Sequence, residues 1–165
     1  MEPSQSNTTL DIEDLAVLQD LLQMNIDSRD GFAYAAKRLS DKHSALSNQF
    51  QQYSHQRNEF LETIKELREM NHLESVDRGT LAASLHRTWM ELKDELSESV
   101  NISAVISEAH RGESYIKQAY DSAIDSVTEP RLLAVLKQQH ESIVESYNWL
   151  SGLRDQGRGS KANAT

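Results

Sequence analysis

The sequence predicts an all-α fold, four long helices packed as one bundle. Three observations carry this. Apolar residues recur in alternating steps of three and four over four long stretches. Two prolines and six glycines in 165 residues leave little punctuation for a many-turned β fold. Hydrophobic residues make up 38% of the chain in short runs, enough for the core of one domain of this length but for no membrane span.

Residues 1–9, MEPSQSNTT, are polar and aperiodic and read as a disordered tail, with neither the basic start nor the apolar run of a signal peptide. From about Leu10 to about Ser40 a helical pattern places Leu15, Leu18, Leu22, Phe32, Ala36 and Leu39 on one face. Ser40-Asp41 offers an N-cap for the second helix, which carries Leu46, Phe50, Tyr53, Phe60, Ile64 and Leu67 and fades near Asn71. Residues 72–79 form a connection. A shorter amphipathic helix follows at about 80–97, with Thr80 as its cap. Asn101 caps the third long helix, whose seam is Ile102, Ile106, Ala109, Ile116, Tyr120, Ala123 and Val127. Thr128-Glu129-Pro130 stops it and starts the next, since proline is tolerated only in a first turn. The fourth long helix, about 129–156, buries Leu133, Leu136, Ile143 and Leu150, and residues 157–165 read as a second disordered tail. A single domain over 10–156 follows.

The first two long helices are joined tightly, and so are the last two, so each pair is expected to be an antiparallel hairpin. The link from 72 to 100 can run the length of a bundle. Two antiparallel hairpins joined by a long crossover containing a short fifth helix is the ferritin-like arrangement; a plain up-down bundle would have three short loops. An internal echo fits this: Arg29-Asp30-Gly31-Phe32-Ala33-Tyr34 in the first helix against His110-Arg111-Gly112-Glu113-Ser114-Tyr115 in the third. A mid-helix glycine costs about 1 kcal/mol against alanine, so two at matching positions imply a common packing need, read here as close approach of two backbones near the bundle centre. Coincidence over six residues is the alternative.

Extending the apolar series through each helix exposes polar interruptions about halfway along. The first passes through Asn25 and Arg29, the second through Arg57, the third through Glu113 and the fourth through His140 and Tyr147. With Glu62 they are expected to form one polar layer. A buried charge is costly unless paired. One account is a salt-bridged layer in which Glu113 and Glu62 accept from Arg29 and Arg57. The other is an iron or manganese site, since bundles hold two such metals with Glu and Glu-x-x-His ligands facing inward. Candidate ligands are His55, Glu59, Glu62, His110, Glu113 and His140, of which His110 and Glu113 share a helix face. Against metal, no E-x-x-H occurs in the second or fourth long helix, and Arg29 would set a fixed positive charge at the site. The expectation is a metal-free layer with no cofactor.

The chain resembles an uncharacterised bacterial ferritin-like four-helix-bundle family, a domain of unknown function, over about residues 12–155. Ser84-Leu85-His86-Arg87-Thr88-Trp89-Met90-Glu91-Leu92-Lys93 fits the family's approximate H-R-x-W-M-x-L-K crossover motif. Arg111-Gly112-Glu113, Gly31-Phe32 and Leu153-Arg154-Asp155 fit as well. The resemblance implies a ferritin-like bundle and brings no activity with it. It also implies departures: the family has carboxylates at the positions of Arg29 and His110, a glutamate near His55 and a histidine at Tyr147, so only Glu62 and Glu113 are retained.

Other chemistry is poorly supported. A formal charge of −9 and the absence of a basic patch oppose nucleic acid. No cysteine is present, which excludes thiolate sites and fits a cytoplasmic location. There is neither a G-x-S-x-G elbow nor a Gly-rich phosphate loop. His86, Arg87 and Trp89 are read as locking the crossover helix onto the bundle, tryptophan as anchor and arginine as capping donor, rather than as a ligand surface. His43 and His72 sit at helix ends, and Trp149 reads as core or interface. The expected function is that of a non-catalytic structural or interaction protein, with stress physiology among its roles and a second copy or another protein as partner. Two alternatives are a ferritin-like metal binder or oxidase with atypical ligands, and a small-ligand binder using the polar layer and a gap beside Gly31 and Gly112.

Overall fold

A computed structural model describes residues 10–39, 42–69, 80–98 and 100–162. They form five helices and, among the described residues, no strand: α1 (Ile12–Leu39), α2 (Ser44–Glu69), α3 (Thr80–Glu98), α4 (Ile102–Ser126) and α5 (Pro130–Ala162). The tail 1–9, the cap at Ser40-Asp41, the connection 72–79 and His72 lie outside the described residues.

Local chemistry sets the ends. Asp11 accepts from the backbone N–H of Asp14 at 2.7 Å, so α1 starts slightly later than its apolar pattern. Asn101 accepts from the N–H of Ala104 at 3.2 Å and caps α4 as expected. Glu129 accepts from the N–H of Leu132 at 2.6 Å just before Pro130, the first residue of α5. At the other end α5 continues to Ala162, so residues 157–162, expected as loose tail, are helix. Gly157 and Gly159 disfavour helix, yet both lie inside α5.

The chain order around the bundle follows from which residues meet. Ser47 and Ser54 of α2 donate to the carbonyls of Ala36 and Arg29, so α1 and α2 are antiparallel. Tyr120 meets Gln139 while His110 meets Ser151, so α4 and α5 are antiparallel too. Between these hairpins α3 runs parallel to α1, with His86 against Asp27, Tyr34 against Lys93 and Arg38 against Leu96. It lies over the α1–α4 side of the bundle. The backbones of α2 and α5 stand further apart and are bridged by Arg57 to Ser146, Gln139 to the Phe60 carbonyl and Tyr53 to Trp149.

Because α3 covers it, α1 buries two stripes. Leu18, Leu22, Asn25, Phe32, Ala36 and Leu39 face the bundle, while Asp27 and Gly31 meet α3. The α3 face is Ala82, Leu85, Trp89, Leu92 and Leu96, all buried, in heptad steps. On α2 the buried positions are 47, 50, 54, 57, 61 and 64. Those on α5 include Leu132, Leu136, Gln139, Ile143, Ser146 and Leu150. In both helices every second core position lies one residue away from the expected one: Leu46, Tyr53 and Phe60 are half-buried beside Ser47, Ser54 and Leu61, and Leu133 beside Leu132.

Candidate functional site

Two polar layers cross the core. In the first, Arg57 of α2 and Glu113 of α4 are both fully buried, with Nη2 2.6 Å from Oε2. Ser146 of α5 completes the layer: its Oγ accepts from Arg57 Nη2 at 3.0 Å and donates to Glu113 Oε2. Gln56 Oε1 accepts from Arg57 Nη1 at 2.5 Å. The rings of Phe60 and Phe32 lie 5.4 and 6.0 Å from the guanidinium carbon, adding cation–π attraction in a desolvated setting. Satisfaction is incomplete: among the described residues, Arg57 Nε and Glu113 Oε1 are buried without a hydrogen-bond partner. The Tyr53 hydroxyl is pushed up to about 12 by burial and then by the Glu113 carboxylate.

The second layer links all four long helices. Asn25 Nδ2 donates to the Leu21 carbonyl at 2.8 Å and to the Tyr120 hydroxyl at 2.9 Å. Tyr120 donates to Gln139 Oε1 at 2.7 Å, and Gln139 Nε2 reaches the Phe60 carbonyl at 3.5 Å. Burial raises Tyr120 above the usual tyrosine range, so the hydroxyl stays a donor. Sequence reasoning missed Ser146, Gln139 and Tyr120 as members. Serine and glutamine carry no charge to flag them, and Tyr120 falls on the apolar seam of its helix.

The remaining expected members sit elsewhere. Arg29 reaches the surface, its Nε 2.9 Å from Asp30 and its Nη1 donating to Asn58 at 3.2 Å. Glu62 is 59% exposed beside Lys65, and His55 is 77% exposed beside Glu59. Glu62 follows Arg57 by five residues, about 140° around the helix, so the two cannot share a face. His140 lies at the edge of α5, Nε2 2.6 Å from Asp121. Burial raises the Asp121 carboxyl, but hydrogen bonds from Lys117 and His140 outweigh it and hold the group low. Tyr147 stacks on His110 with ring centroids 4.7 Å apart, half-exposed. The salt bridge expected from Arg29 or to Glu62 is therefore replaced by the single pair Arg57–Glu113.

His110 is buried with both ring nitrogens engaged. Arg154 can only donate, so Nδ1, 3.1 Å from its Nη1, is the acceptor. Nε2 then carries the proton and donates to Ser151 Oγ at 2.8 Å. Burial, then Arg154, lowers its proton affinity and keeps it neutral. A general base would instead accept the serine proton, so His110–Ser151 is not a nucleophile–base pair. Among the described residues, no cluster of three or more His, Asp or Glu side chains converges as a metal site. His55, Glu62, His110, Glu113 and His140 are thus not brought together.

The two glycines do share a packing need, but their partner is an indole rather than a facing backbone. Trp89 of α3, 2% exposed, lies against Gly31 of α1 and Gly112 of α4 and edge-on to Phe32 at 4.9 Å. A Cβ at Gly31 would be 2.1 Å from Cδ2 of that ring, and one at Gly112 3.4 Å from Cε2. The gap imagined for a small ligand is filled by this side chain. Trp89 anchors the crossover as expected. Arg87 is not the capping donor among the described residues: its Nη2 donates to Ser84 of its own helix. Arg38 of α1 takes that role, with Nε and Nη2 3.0 and 2.5 Å from the Leu96 carbonyl near the end of α3. Trp149 stacks edge-on to Tyr53, joining α5 to α2. Among the described residues no helix is long and apolar enough to cross a membrane.

The family model described as Domain of unknown function (DUF2383) matches residues 13–126, α1 through α4, and the chain belongs to that family. Arg57, Trp89, Gly31, Gly112 and Glu113 lie inside the matched span, and α5 lies outside it. No curated protein and no solved structure matches the chain.

Proposed function

We propose that this member of the family is a ferritin-like bundle whose central layer is closed by its own charges, and that it works as a non-catalytic structural or interaction protein. The observation that supports this is the Arg57–Glu113 pair: a fully buried guanidinium held 2.6 Å from a fully buried carboxylate. A divalent cation would have to take Glu113 away from Arg57, and breaking a buried pair costs about 3–5 kcal/mol. It would then meet the same fixed positive charge in a low-dielectric interior. The layer's use is registry: Arg57, Glu113 and Ser146 fix α2, α4 and α5 against one another at a single height. Neutral Nε2-protonated His110, bonded to Arg154 and Ser151, ties α4 to α5 in the same structural sense.

The test is thermal unfolding with and without iron(II) or manganese(II). A resident site occupied at a hundredfold excess over its Kd adds about 2.7 kcal/mol, which raises Tm by about 5–10 °C in a domain of this size. The proposal expects no such rise. A rise that disappears in Glu113→Gln would overturn it in favour of a metal protein.

A further inference from the structure

Beside the start of α4 and the last turns of α5 lies a groove of about 450 Å³. We propose that it binds a small anionic amphiphile, a carboxylate or phosphate head on an apolar body. Ile102 and Ile106 of α4 and Leu153 of α5 supply the apolar surface. Arg154 and Arg158, one helical turn apart on α5, line the same groove.

The arrangement is partly built in advance. Arg154 is held from behind by the Nδ1 of His110 at 3.1 Å. Its contact with Asp155 is long and peripheral, 3.4 Å from both Nε and Nη2 to a carboxylate that is 63% exposed. An incoming anion can take the place of that carboxylate. Gly157 keeps the wall open: among the described residues, a Cβ there would meet nothing nearer than Ser103 Oγ at 4.0 Å. A helix-interior glycine is intrinsically unfavourable, and here it leaves room for a ligand body. On a chain of formal charge −9, two arginines lining one groove favour an anionic occupant over a cationic one.

Size selects the class of occupant. The lining residues run from 102 to 107 on α4 and from 153 to 158 on α5, about 8 Å along each helix. A docked partner helix uses anchors from i to i+7, more length than is present. The volume falls within the roughly 300–1,000 Å³ of small-molecule pockets. The inference goes beyond the metal-free core and does not rest on it.

The test is an amide NMR titration of the full chain with decanoate, decyl phosphate and decanol, each kept below its micellar concentration. Expected are saturable shifts centred on Ile102, Ile106, Leu153 and Arg158 with at least one of the anions; the tighter one identifies the head. Arg158→Gln should weaken binding about fivefold, the worth of one exposed charge pair near 1 kcal/mol, and Gly157→Leu should abolish it. Decanol should bind more weakly than the anions. No shifts with either anion up to about 1 mM, a limit that still detects weak sites, overturns the proposal. So do shifts that map elsewhere, or decanol binding as tightly as the anions. If Gly157→Leu does not fold, the wild-type map and Arg158→Gln decide the matter.

Discussion

Replacing Gly31 by alanine puts a methyl group where the Trp89 indole already sits. The new Cβ would lie 2.1, 2.2 and 2.7 Å from Cδ2, Cε3 and Cε2 of the ring, whereas carbon–carbon contacts settle near 3.5–4.0 Å. The ring must retreat by more than about 1 Å to relieve this. Phe32 flanks it at 4.9 Å and α4 closes the far side at Gly112, so α3 has to lift away from α1. Overpacking costs typically about 1–3 kcal/mol, and a contact this short belongs at or above the top of that range. Alanine returns about 1 kcal/mol of helix propensity, leaving a net loss of about 2 kcal/mol. Gly112→Ala receives the same return, but its Cβ would sit 3.3 Å from Leu85 and 3.4 Å from the ring, so it stays within about 1 kcal/mol of wild type. Urea unfolding followed by circular dichroism reads the contrast. With a slope of about 2 kcal/mol per molar, Gly31→Ala lowers the midpoint by about 1 M, and Trp89→Leu in the same chain recovers part of the loss. A Gly31→Ala midpoint equal to or above that of Gly112→Ala refutes the slot.

The buried pair predicts an asymmetry between single and double replacements. Glu113→Leu alone strands Arg57 and costs about 3–5 kcal/mol, while Arg57→Met with Glu113→Leu ends within about 1 kcal/mol of wild type or above it; urea midpoints check both, and additive losses would count against the pairing. His110 predicts a pH dependence. Its folded-state affinity lies below the ordinary 6.5, through burial and then Arg154, so the unfolded chain binds the extra proton. The resulting stability is fully present above pH 6.5 and is lost as pH falls from there towards the folded value. An NMR titration of the ring should give a midpoint below 6.5, and His110→Gln should lose less stability than wild type between pH 7.5 and 5.5.

The all-helical class and the two hairpins were legible because apolar periodicity and link length speak to them directly. Arg57 and Glu113 were legible as charges interrupting an apolar series. The register between alternate core positions was not. On α5 the series 133, 140, 147 and 132, 139, 146 both begin with leucine and both pass through polar residues, so composition does not choose between them. The structure takes Leu132, Gln139 and Ser146 inward, because serine and glutamine fit against Arg57 and Tyr120 while His140 keeps Asp121 at the edge. Gly31 and Gly112 announced a packing need. Their partner was hidden because Trp89 lies on a helix whose docking depends on the whole bundle being assembled.

The central claim, a core layer closed by its own charges, is tested most directly by elemental analysis of untagged protein purified without chelator, before and after loading with iron and manganese. A stoichiometry near zero in both preparations is the predicted result, since Arg57 already holds the buried carboxylate of Glu113. One or two equivalents of bound metal per chain, lost on Glu113→Gln, would contradict it.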